Sequence, residues 1–107
     1  MQFDELRKEL KNIVFITVRE ESDDYFEGVV SKGELAHLSL ILGKFFGARV
    51  WPSEHKLSEE IENFIGEFGG IMSSQTLYFH KEANETAFAM LWPWSDGTRI
   101  TLKIGKR

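Results

Sequence analysis

The stretch from Gln75 to Ile104 most constrains what this chain can fold into. Leu77 and Phe79 alternate with Thr76, Tyr78 and His80; Phe88, Met90 and Trp92 alternate with Ala87, Ala89 and Leu91. Ile100, Leu102 and Ile104 alternate in turn with Arg99, Thr101 and Lys103. Side chains of a strand point alternately to opposite faces, so three such runs in succession predict an antiparallel meander. Asn84 serves its first turn and Ser95-Asp96-Gly97 its second, with glycine free to take a positive φ. Pro93 has no amide to donate and marks where the middle run ends or meets solvent.

Ahead of the meander, Ser31 to Gly47 reads as a punctuated helix. Ser31 and Glu34 are spaced for a capping box, and Val30 and Leu35 flank it as a hydrophobic staple. Leu35, Leu38, Ile41, Leu42, Phe45 and Phe46 fall on one side at 100° per residue, and Gly47 suits the closing left-handed turn. Ala36, Ser39 and Gly43 form a ridge of small side chains that predicts a close neighbour. His37 and Lys44 mark a water-facing side, with Leu40 between them.

The N-terminal part adds a short amphipathic helix from about Phe3 to Lys11, since Phe3, Leu6 and Leu10 recur at helical spacing. Ile13 to Val18, rich in β-branched residues and apolar on both faces, predicts an interior strand. Glu20 to Asp24 is a solvated acidic turn, and Tyr25 to Val30 a returning strand in which Gly28 marks a bulge or a close approach. Beyond Gly47, Trp51 precedes Pro52 and is expected extended, its ring on the core. Ser58 then caps a further helix whose stripe is Ile61, Phe64, Ile65 and Phe68, ended by Gly69-Gly70. The order is therefore α-β-β-α-α-β-β-β. An α+β domain spanning 1–107 follows, with a largely antiparallel sheet and helices packed mainly on one face.

Composition bounds the chemistry. With 107 residues and no cysteine, the chain has room for one domain and none for disulfides or thiolate metal sites. The net charge of −4 divides into −6 through residue 68 and +2 thereafter. A mildly acidic chain argues against nucleic-acid binding, which depends on neutralising phosphates. No apolar run reaches membrane-spanning length, and the first nine residues are too charged for a signal peptide, so a cytoplasmic protein away from membranes is expected. His37, His55 and His80 show no metal-ligand spacing, and neither a nucleophile elbow nor a phosphate loop occurs. No metal, cofactor or catalytic residue is nominated.

Two functional readings remain, both resting on the meander. If Leu77, Phe79, Phe88, Met90, Trp92, Ile100, Leu102 and Ile104 share the covered face, Tyr78, His80, Ala87, Ala89, Leu91, Arg99, Thr101 and Lys103 lie opposite. That second face is covered by the N-terminal helix, or joins two copies, or holds a ligand. The leading expectation is a small, non-catalytic interaction or accessory protein that pairs with itself or another protein. Its interface residues would be Ala87, Ala89, Leu91, Trp94 and Leu40. The alternative is a small-molecule binder or enzyme whose site gathers Tyr78, His80, Arg99 and Lys103 around the apolar centre.

Overall fold

The computed structural model describes residues 2–107. Its elements run α1 (Phe3–Glu9), β1 (Phe15–Glu21), β2 (Tyr25–Ser31), α2 (Leu35–Phe46), α3 (Glu59–Gly66), β3 (Thr76–Lys81), β4 (Thr86–Pro93) and β5 (Arg99–Lys106). A 3₁₀ turn at Leu10–Asn12 follows α1, and another at Lys32–Glu34 precedes α2. The fold is α+β, in the order that the sequence pattern predicts. All five strands pair antiparallel in one sheet, ordered β1-β2-β5-β4-β3.

The sheet is covered on both faces, which decides how its strands are read. α1 and α2 share one face, where Leu6, Leu38 and Leu42 meet Val30, Ala89, Leu91, Leu102 and Ile104. α3 lies on the other, its Ile65 against Leu77, Phe88 and Met90, with Phe64 and Phe68 alongside. Expectation placed Ile100, Leu102 and Ile104 on the same side as Phe88, and the register corrects that. Ala89 pairs with Ile104 and Leu91 with Leu102, so the β5 aliphatics share the face of the alanines. Either parity of β5 can be buried when helices cover both faces, and alternation within one strand carries no information about its neighbour's phase.

Three local expectations also change. Ser31 makes no capping hydrogen bond, because the 3₁₀ turn moves the helix start to Leu35. Glu34 instead accepts a hydrogen bond from the Val14 amide at 3.2 Å, tying β1 to the start of α2. The small-residue ridge has no close neighbour: Ala36 is exposed, and a Cβ at Gly43 would meet nothing within 4 Å. The interior strand at Ile13 to Val18 is in fact the outermost strand, since β2 inserts between β1 and β5.

Other features match their chemistry. Ser58 Oγ accepts from the Ile61 amide at 3.3 Å, and Gly47 turns the chain out of α2 at φ 79°. Asp96 Oδ1 accepts from the amides of Thr98 and Arg99 at 2.8 and 3.2 Å, and Gly97 takes φ 72° beside it. Those amide bonds, Thr98 foremost, hold the Asp96 carboxyl below the usual range. Gly28 is the close approach its position implies: a Cβ there would lie 2.8 Å from the Phe15 ring.

Candidate functional site

The sheet has two edges, and they are finished differently. At β3, Trp51 forms an antiparallel bridge with Leu77, exchanging hydrogen bonds of 3.0 and 3.3 Å. The Trp51 indole is anchored by donation to the Met72 carbonyl at 3.1 Å, so the connector blunts that edge. β1 has β2 on one side and no strand on the other among the described residues. An unpaired edge presents a row of peptide N–H and C=O groups to any chain that can extend alongside.

Along this open edge the apolar side chains are also uncovered. Val14, Ile16 and Val18 are 72%, 55% and 50% exposed, whereas Phe15 tucks edge-on against Phe26 with ring centroids 5.0 Å apart. The pairing of β1 with β2 shifts register between Phe15 and Thr17 and again between Val18 and Glu20. Such bulges, with the charged run Arg19-Glu20-Glu21, commonly guard an edge against unwanted pairing. Here one bulge falls at Ile16 and the other at Arg19, and the charges are confined to the second half of the strand. Arg19 and Glu21 are engaged elsewhere, with Glu27 at 3.6 Å and Arg7 at 3.1 Å respectively.

Between β1 and α1 lies an open groove of about 920 Å³. Leu10, Ile13, Phe15, Val18 and Phe26 supply its apolar surface. Arg7, Lys8, Lys11 and Lys106 face Asp4, Glu21, Asp23 and Asp24 around it, so no single charge dominates.

The residues singled out from sequence do not converge. Tyr78 and His80 extend from β3 on the side of α1 and α2, where Tyr78 is buried against Phe46 and His80 pairs with Glu82 at 2.8 Å. Arg99 and Lys103 alternate onto the α3 side, and four residues of strand set them about 13 Å apart. The four therefore line no common site. Ala87, Ala89 and Leu91 are 2%, 0% and 4% exposed beneath the helices, so they offer no surface to a second copy. Trp94 is half-buried, donating from Nε1 to Thr101 Oγ1 at 2.8 Å, with Arg99 and Arg19 at 5.2 and 5.5 Å from its ring. Leu40 is exposed but isolated on α2.

Lys103 has a defined environment of its own. Its ammonium sits 3.5 Å from the Trp92 ring centroid and donates to the Phe68 carbonyl at 3.2 Å. Burial pulls its pKa below the usual lysine range; Glu27, its ladder neighbour, opposes that shift and Arg19 adds to it. Nearby, Tyr25 donates to Glu27 at 2.7 Å, and burial together with that carboxylate pushes the phenol well above its ordinary range. These contacts close on one another, whereas the buried Trp92 Nε1 beside them has no hydrogen-bond partner among the described residues. Among the described residues no three His, Asp or Glu side chains are grouped to hold a metal ion, and no helix is long and apolar enough to cross a membrane.

No family model matches this chain, and neither a curated protein nor a solved structure matches it. The open edge at β1 was legible only as an apolar run. Its signal in sequence was the abrupt change from Val14–Val18 to Arg19–Glu21, which marks a strand guarded at one end.

Proposed function

We propose that this chain acts as a small self-associating interaction protein of the cytoplasm, without catalysis of its own. The observation that carries the reading is the exposure of Val14, Ile16 and Val18 along a sheet edge with no neighbouring strand. Single exposed aliphatics are ordinary on protein surfaces, but Ile16 and Val18 on one unpaired strand, with Val14 just ahead of it, set exposed apolar side chains beside an open edge. The earlier interface through Ala87, Ala89 and Leu91 is replaced, because α1 and α2 already bury it. What supports a binding role over chemistry is that the half-buried polar groups Tyr25, Glu27, Lys103 and Trp94 of the α3 side are engaged within the fold: Tyr25 with Glu27, Lys103 with the Phe68 carbonyl and Trp94 with the Thr101 hydroxyl.

Sedimentation equilibrium across micromolar to high micromolar concentration tests this. The expected outcome is a mass rising from one chain to two. A single-chain mass throughout that range overturns it.

A further inference from the structure

Of the eight lysines, one is set apart by its surroundings. Lys8, Lys44, Lys81 and Lys106 pair with carboxylates, and Lys11, Lys32 and Lys56 stand exposed to water. Lys103 is half-buried, and among the described residues no carboxylate comes within ion-pair reach of its ammonium. We propose that Lys103 is a carbonyl-capture site, whose amine condenses reversibly with an uncharged aromatic aldehyde seated in the cavity beside it to form an imine.

The cavity is open, about 410 Å³ in volume, and Lys103 lines it together with Tyr25, Phe68, Glu20 and Glu67. Tyr25 and Phe68 stack with ring centroids 6.0 Å apart and planes 14° from parallel, which gives it an aromatic wall. The natural partner of Lys103 is Glu27, directly across the β2–β5 ladder. Both oxygens of that carboxylate are already engaged: Oε1 accepts from the Tyr25 hydroxyl at 2.7 Å, and Oε2 faces Arg19 at 3.6 Å. Lys103 is left with the Trp92 ring, whose centroid is 3.5 Å from its ammonium, and with the Phe68 carbonyl at 3.2 Å. A lysine held in partly apolar surroundings without a counter-ion gives up its proton more readily, and the amine so formed is the nucleophile. Burial acts in that direction here; Glu27 opposes it and Arg19 adds to it.

The step balances without an oxidant or a further reactant. The amine lone pair attacks the aldehyde carbon, and the proton lost from nitrogen passes through solvent to the carbonyl oxygen, giving a carbinolamine. That oxygen takes a second proton and leaves as water, and the nitrogen lone pair closes the C=N bond of a protonated imine. The new cation fits the place of the ammonium. An ammonium has three N–H donors, of which Lys103 gives one to a protein acceptor among the described residues. A protonated imine has a single N–H, matched to that one Phe68 carbonyl, and its charge stays over the Trp92 face. The mouth selects among carbonyl compounds. Glu20 and Glu67 repel one that carries a carboxylate, Glu67 the less because it pairs with Arg107. The aromatic wall favours a flat ring. Such capture is stoichiometric binding, and it does not depend on two copies of the chain meeting.

Reductive trapping reads the site directly. The folded chain is incubated with benzaldehyde and cyanoborohydride, and peptide mapping by mass spectrometry follows each lysine separately from the α-amine of the chain. Lys103 should be alkylated several-fold faster than Lys11 or Lys32, and the difference should vanish in urea, where the cavity is lost. Glyoxylate, an anionic aldehyde, should show no such preference. Lys103→Arg keeps a cation over Trp92 but cannot form the imine, so it should lose the fast label and leave the slow ones unchanged. Equal labelling of Lys103 and the exposed lysines, or a preference that survives in urea, overturns the capture site. An equal preference for glyoxylate overturns the uncharged class of ligand.

Discussion

Gly69 shows how much one missing methyl group can hold in place. The chain leaves α3 through a turn in which the Gly70 amide reaches the Ile65 carbonyl at 2.9 Å, and both glycines take positive φ. They differ in their surroundings. A Cβ at Gly69 would lie 2.6 Å from the Trp92 ring, while one at Gly70 would meet nothing within 4 Å. Gly70→Ala should therefore cost only the backbone penalty of about 1–2 kcal/mol. Gly69→Ala adds the displacement of a packed indole, for a total of about 2–4 kcal/mol. Urea unfolding of both variants checks the difference, and equal losses would remove the Trp92 contact from the account. Sequence marks Gly69-Gly70 as a helix stop, but which of the two touches a side chain twenty-three positions on is a tertiary fact.

Lys103, against the same indole, ties residue chemistry to pH. A lysine whose folded-state pKa lies below its unfolded one binds fewer protons when folded. Below the folded value it costs the fold stability, and that cost fades as pH rises towards about 10.4. Burial is the main cause of the lowering, and Lys103→Met removes the charge while keeping much of the stem over Trp92. The stability of the native chain relative to Lys103→Met should therefore improve as pH goes from 7 to 9.5. Urea midpoints of both proteins at the two pH values measure this, and a constant difference contradicts the lowered pKa. The basic residue is visible in the sequence. Its partners are not, because Phe68 and Trp92 reach it from two other elements.

At the scale of elements, the two serine caps foreseen from sequence part company. Ser58 and Ser31 both precede an apolar helical stripe, yet only Ser58 accepts the amide bond that a cap supplies. The difference lies in what competes: at Ser31 the chain leaves β2 through a 3₁₀ turn, and Glu34 is drawn to the Val14 amide. Ser58→Ala should lower stability by about 0.5–2 kcal/mol, whereas Ser31→Ala, exposed and without a cap bond, should stay within about 0.5 kcal/mol. Thermal or urea unfolding separates the two. The existence and order of the helices and strands were legible because each carries strong local periodicity. Cap chemistry was not, because a carboxylate can be claimed by a strand twenty residues away.

At the scale of the whole molecule, what sequence conceals is phase and neighbourhood. β4 is apolar on both parities and β5 offers aliphatics on one, so the pattern admits either alignment until the register pairs Leu91 with Leu102. The same blindness made Ile13 to Val18 look like an interior strand: β-branched composition reports a strand, and not its place in the sheet. That placement predicts an order of local stability. β5 and β4 lie between strands on both sides and helices on both faces, with Leu102, Ile104, Phe88 and Met90 fully buried. Their amides should exchange with solvent only through global unfolding, while those of β1, an exposed edge, should exchange through local opening at much lower free energy. Native-state hydrogen exchange in dilute solution should thus protect β5 and β4 most, β2 next and β1 least. Under the proposed self-association through the open edge, raising the concentration should add protection to outward-pointing amides of β1 and leave those of β5 unchanged. Uniform slowing in every strand would instead mean that association stabilises the fold as a whole without touching the edge.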